Sequence, residues 1–251
     1  MLRALGLAER LLWNNEAIEH LGEAFGLIEE PRRRARIAIE LGRALLRGNR
    51  HAEAIEAFRH GREALGSGPD VDTDMALSLE TELINAAWWE PEHLEIAIVE
   101  LEQLKGETLG DGFGADLLRA TLGYWETRRG VDRQRALELA RQAVASQRLD
   151  SLGARALHLA AYTLTMSGCP DEALVVYDRA LRGAYARGDN IWASSCALFR
   201  AYTQLRRGDL NAVESDLGRY AELMEYETAY LYSGAFRAEL ARERGDLEGA
   251  E

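Results

Sequence analysis

The chain has 251 residues, 47% of them apolar, and a formal charge of −12 at neutral pH. That length can bury a substantial core, either as two compact domains or as one elongated array. With 42 acidic against 30 basic residues, the composition argues against a module that holds a phosphate backbone through Lys and Arg, so direct nucleic-acid contact is not expected. Leu and Ala dominate, and no stretch alternates apolar with polar residues as a strand would, which predicts an all-α fold.

The opening MLRALGLAERLLW meets Glu9 and Arg10 before a secretory apolar core can develop. No apolar run approaches the roughly 18 residues of a membrane span. The basic run PRRRAR at 31–36 reads as a solvated helix start rather than a phosphate-binding patch. Lysine occurs once, at Lys105, and the arginine bias reads as codon usage in a GC-rich genome. Cys169 and Cys196 have neither zinc spacing nor partners for a disulfide framework, so a reducing cytoplasm is the expected setting.

Glycines mark a repeat. Gly48, Gly130, Gly168, Gly208 and Gly245 are spaced by 82, 38, 40 and 37 residues. The first interval is two periods, with WWEPEH in place of the middle glycine, and an earlier corner is expected in WNNEA at 13–17. About fifteen residues of helical pattern precede each corner and a second helix follows it, so each unit is a helical hairpin. Glycine suits these positions because it accepts the left-handed conformation at helix ends. Pro31, Pro91 and Pro170 fall at helix starts, where a missing N–H is harmless.

The clearest unit, IELGRALLRGNRHAEAIEAFRHGREAL, carries Leu41, Gly42, Leu45, Ala54, Phe58 and Gly61 at tetratricopeptide spacing. A weaker copy has Ala160, Ala161, Leu164, Gly168, Ala173, Tyr177 and Ala180. No hairpin buries its apolar face alone, so the units are expected to stack as a right-handed α-solenoid over 1–251, six full hairpins plus a truncated seventh. HEAT-like packing is the alternative, because its period is about 40–47. The closing LARERGDLEGAE repeats QLRRGDLNAVES 37 residues on without its second helix, so the chain is expected to be a piece of a longer protein.

RARIAIELGRALLRGNRHAEAIEAFRHG, ARGDNIWASSCALFRAYTQLRRGDLNAVESDL and ARERGDLEGAE resemble the helical-repeat region of large ATP-binding regulators of the LuxR family, the group that includes the maltose regulon activator. The resemblance covers most of the chain. In that family a STAND-type ATPase precedes the tetratricopeptide-like sensor and a helix-turn-helix follows it. This chain has no GxxxxGK[ST] and no basic helix-turn-helix pattern. The resemblance therefore implies the middle of such a regulator.

Few residues suggest chemistry. LGDGFGADLL at 109–118 lacks the preceding strand and spacing of a phosphate loop and reads as a flexible inter-repeat loop. His20, His51, His60, His93 and His158 are scattered, with no metal-ligand spacing. No acid/base dyad, metal or cofactor is expected in this segment, so the chain is read as non-enzymatic.

A solenoid's asset is its concave wall. Counting back from each corner assigns Arg43, Asn85, Trp125, Tyr162 and Tyr202 to that wall, with Arg155 and His158 adding polar contacts one turn before Tyr162. The three aromatics suggest a strip for a protein, a peptide or a small inducer. Packing between repeats is the competing reading. The expected function is the sensor or scaffold module of a bacterial transcription regulator; a free-standing interaction adaptor unrelated to transcription is the alternative.

Overall fold

The computed structural model describes residues 15–69, 71–105, 109–150, 154–223 and 226–246. Among them every regular element is helical: α1 (Asn15–Leu27), α2 (Pro31–Arg47), α3 (His51–Leu65), α4 (Thr73–Ala87), α5 (Pro91–Leu104), α6 (Phe113–Arg129), α7 (Arg133–Ala145), α8 (Ala154–Met166), α9 (Pro170–Ala186), α10 (Asn190–Arg207), α11 (Leu210–Leu223) and α12 (Tyr226–Glu243), with one 3₁₀ turn at Arg148–Asp150. Residues 13 and 14 of the corner expected at 13–17, and the chain end at Glu251, lie outside the described residues, while 15–17 form the start of α1.

The chain divides into two compact units, residues 1–118 and 119–251, the boundary falling within α6. In the first, α2 packs on α1 and α3, α3 on α4, and α4 on α5. In the second, each helix from α7 to α12 packs on the next in sequence.

Small residues set the close contacts. A Cβ on Gly42 would overlap the Phe58 ring, and one on Gly61 would meet Ala38 and Leu79. Residue 42 faces 58 while 38 faces 61, so α2 and α3 run antiparallel. Arg43 pairs with Glu82, late residues of α2 and α4, which therefore run the same way. Likewise Thr165 meets Thr203, near the C-terminal ends of α8 and α10. Phe58, Tyr177, Ala160, Ala161, Leu164 and Ala173 are all at most 1% exposed, so these repeat positions are buried between helices.

Helix starts are set by Pro31, Pro91 and Pro170, each the first residue of its helix, and by carboxylate caps. Glu30 accepts from the backbone of Arg32 and Arg33, Asp72 from Met75, Asp132 from Arg135 and Asp189 from Trp192. Such caps are worth about 1 kcal/mol each. Glu30 thus starts the PRRRAR helix, whose Arg32 reaches Asp72 at 2.8 Å and whose Arg34 lies over the Phe25 ring.

Four of the five corner glycines are left-handed, with φ of 64° at Gly130, 80° at Gly168, 86° at Gly208 and 78° at Gly245. Gly48 is not: its φ is −79°, and Asn49 takes the left-handed turn instead, with φ 58°. Asparagine tolerates that region because its short polar side chain bonds locally. The corner is displaced by one residue.

The glycine-rich 109–118 segment is not simply a loop. Helix α6 begins inside it, and the Asp74 carboxylate from α4 accepts from the backbone N–H of Phe113 at 3.1 Å, Gly114 at 2.8 Å and Ala115 at 3.4 Å. Open N–H groups at a helix N-terminus attract an anion; here a neighbouring helix supplies it. The glycines are needed because a Cβ at 112 or 114 would strike Asp74.

Candidate functional site

Arg43 and Asn85 belong to the first unit, and both are committed to its interior. The Arg43 side chain is 10% exposed, its Nε donates to Glu82 Oε1 at 2.7 Å, and its guanidinium sits 5.4 Å from the Phe113 ring centroid. Asn85 is 1% exposed. Trp125, Arg155, His158, Tyr162 and Tyr202 belong to the second unit.

There the structure shows an aromatic ladder. Tyr124 of α6, Tyr162 of α8, Tyr202 of α10 and Phe236 of α12 follow one another with ring centroids 5.4, 6.3 and 5.4 Å apart. The Tyr162 and Tyr202 rings are nearly parallel, 15° apart, and the others are tilted. All four are partly buried. Offset or tilted aromatic pairs at this separation contribute about 0.5–1.5 kcal/mol each beyond area burial. These contacts hold the rings against one another, and each rung keeps some surface toward solvent.

Sequence reasoning found two of the four rungs. It placed Trp125 where Tyr124 belongs: Tyr124, Tyr162 and Tyr202 each stand six residues before their corner glycine, whereas Trp125 stands five before Gly130. Trp125 instead lies beneath the Arg129 guanidinium, 6.0 Å from its ring centroid. Phe236 stands nine residues before Gly245, a turn off the tyrosine register, so no fixed offset would have found it.

Polar groups edge the ladder. The Tyr202 hydroxyl donates to the Met166 sulfur at 3.2 Å, and Arg128 lies 5.9 Å from the Tyr124 ring centroid. Burial, reinforced by Tyr202 and Tyr124, raises the Tyr162 phenol pKa above its ordinary value. Tyr162 therefore stays neutral, in the middle of the strip.

His158 does not extend toward solvent beside Tyr162 but packs beneath it. Its ring is 4.0 Å from Phe199, 6.3 Å from Tyr162 and 6.1 Å from Tyr177, and Nδ1 lies 3.2 Å from the Tyr177 hydroxyl. Burial, then the charge of Arg155, pushes the imidazole down to about 4. The folded state thus favours neutral His158, and stability present above the unfolded pKa of about 6.5 is lost as the pH falls toward 4. Because the ring keeps some solvent contact, the expected loss is about 1–2 kcal/mol. Urea unfolding at pH 7 and pH 4.5 should show a steeper decline for wild type than for His158→Phe; equal declines would remove His158 as the titrating group.

Among the described residues no cluster of three or more His, Cys, Asp and Glu is arranged to hold a metal ion. None of the described helices is long and apolar enough to cross a membrane. Among the described residues, the second unit offers an aromatic surface built from four helices. Comparison with protein-family models gives no match to the chain, and comparison with curated proteins gives none either.

Proposed function

We propose that the chain is a non-enzymatic binding module, the sensor or scaffold part of a bacterial transcription regulator of the LuxR family, working in the cytoplasm without a cofactor of its own. Its hairpins form a right-handed, tetratricopeptide-like α-solenoid whose groove takes a protein, a peptide or a small inducer. The observation that carries the binding reading is the ladder of Tyr124, Tyr162, Tyr202 and Phe236, which brings one aromatic from each of four helices onto one continuous strip. Rigid aromatic side chains with a polar tip give large contact area at little entropic cost. The link to transcription rests on the sequence phrases alone, and it predicts a reading frame with an ATPase before this segment and a helix-turn-helix after it. A gene holding only the repeats would favour the free-standing adaptor.

Tyr162→Ala tests the ladder itself. It removes the contacts to Tyr124 and Tyr202 and is expected to cost about 1–3 kcal/mol, less than the 3–5 typical of a fully buried aromatic. The remaining folded protein should lose ligand or partner binding by about tenfold. Unfolding by denaturant, read beside binding, separates the two roles: a loss of 3–5 kcal/mol with binding intact would make the ladder packing only.

A further inference from the structure

The aromatic ladder of the second unit has a cationic edge. Arg128 stands one helical turn after Tyr124, Met166 one turn after Tyr162 and Arg206 one turn after Tyr202, and a step of four residues keeps a side chain on the same helix face. Arg128 Nη1 donates to the Tyr124 hydroxyl at 3.5 Å, and the Met166 sulfur accepts from the Tyr202 hydroxyl at 3.2 Å. All three edge residues are exposed.

Elsewhere in the unit, arginines are answered by acids: Arg141 by Glu172, Arg242 by Glu239, and Arg207, the chain neighbour of Arg206, by Asp171 at 3.2 Å. Arg128 and Arg206 form no ion pair among the described residues. Burial raises the Tyr162 phenol pKa, and the Arg128 charge opposes it, so that cation acts on the second rung as well as the first. Rung spacing sets the form of a ligand. Side chains on one face of an extended peptide recur every two residues, about 6.4–6.8 Å apart, close to the 5.4–6.3 Å between successive rings. Alternate residues of such a peptide fall on successive rungs, so Arg128 and Arg206, two rungs apart, meet peptide side chains four residues apart.

We propose that the ladder takes an extended acidic segment of a partner protein, with carboxylate side chains four residues apart on Arg128 and Arg206 and an apolar side chain midway on Met166 and Tyr162. This occupant rests on the binding reading of the ladder and narrows its ligand to a peptide. Charge complementarity selects it, because guanidinium–carboxylate hydrogen bonds are roughly twice as strong as neutral ones. The net charge of −12 opposes an acidic ligand at long range, but exposed charges more than about 8 Å away are largely screened at physiological salt. The two cations at the ladder's edge therefore decide.

The test uses the full chain and a fluorescent peptide of about nine residues with blocked termini, centred on Glu-Thr-Leu-Thr-Glu, beside versions with Gln or Lys in place of both Glu. Anisotropy should show the Glu peptide bound about tenfold or more tighter than the Gln peptide, with the Lys peptide weakest. Arg128→Gln with Arg206→Gln should weaken the Glu peptide about tenfold and leave the Gln peptide within about twofold, with circular dichroism unchanged. Arg135→Gln with Arg182→Gln, the same charge change at exposed positions of α7 and α9, should alter the Glu peptide less than about twofold. Failure of the Glu peptide to bind, or equal weakening by the control pair, would overturn the proposal. Equal affinity for the Glu and Gln peptides, both lost in Tyr162→Ala with Tyr202→Ala, would overturn the acidic occupant and leave the ladder a binding surface. Wild-type affinity for the Glu peptide in that tyrosine pair would remove the ladder as well.

Discussion

Glu82→Ala is expected to be the most damaging single change in the first unit, at about 3–5 kcal/mol. The Glu82 side chain is 6% exposed and its carboxylate holds the Arg43 guanidinium at 2.7 Å. Removing the acid leaves a permanently charged group inside, because guanidinium does not deprotonate in proteins. The ring of Phe113 at 5.4 Å offers a cation–π contact worth about 0.5–2 kcal/mol, too little to compensate. Replacing both partners, Arg43→Met with Glu82→Leu, should cost far less, since a buried pair exchanged for apolar side chains of similar volume is often neutral. Urea midpoints for the two variants check this, and a double variant as unstable as Glu82→Ala would show that shape rather than charge governs the site.

Gly114→Ala carries the second large effect. Its Cβ would overlap the Asp74 carbonyl oxygen and come within 2.8 Å of Ser78 Oγ and 2.9 Å of Ser78 N. Two of these three obstacles are backbone, and Ser78 Oγ is itself fixed by donating to Asp74 O at 2.9 Å. None can rotate away. Overpacking costs about 1–3 kcal/mol and occasionally more, and the gain from alanine's helix propensity is at most about 1 kcal/mol; backbone obstacles put the cost at the top of that range, so a net loss of about 2 kcal/mol is expected. Gly110→Ala, whose Cβ meets nothing within 4 Å, should stay within about 0.5 kcal/mol. Thermal unfolding of both variants reads the difference, and equal stability would mean that α6 does not start against α4 as described.

These two sites show where the sequence was readable. The helices were legible because their signals are local: Pro31, Pro91 and Pro170 start helices, the corner glycines end them, and apolar residues recur at helical spacing. The partners of Arg43 and Asp74 were not, because Glu82 lies 39 residues away and Gly114 lies 40. One repeat period separates them, and nothing local marks an ion pair or a cap made across it. The same limit turned 109–118 into an apparent loop: its glycines answer to Asp74 rather than to flexibility. In the ladder, Tyr162 and Tyr202 could be read from their common offset, while Trp125 was drawn in over Tyr124 because two adjacent aromatics compete for one position. His158 looked like a wall residue by its place in the helix, and only packing on Phe199 and Tyr177 reveals it as a support.

Binding at the ladder is tested most directly by a thermal-shift screen of small metabolites and extended peptides against wild type and Tyr162→Ala with Tyr202→Ala. A ligand that binds only the folded state stabilises it by RT ln(1 + [L]/Kd). At least one compound should raise the wild-type Tm and leave the double variant unmoved, with both proteins equally helical beforehand. Compounds that stabilise both proteins alike, or a screen in which none stabilises wild type, would contradict it.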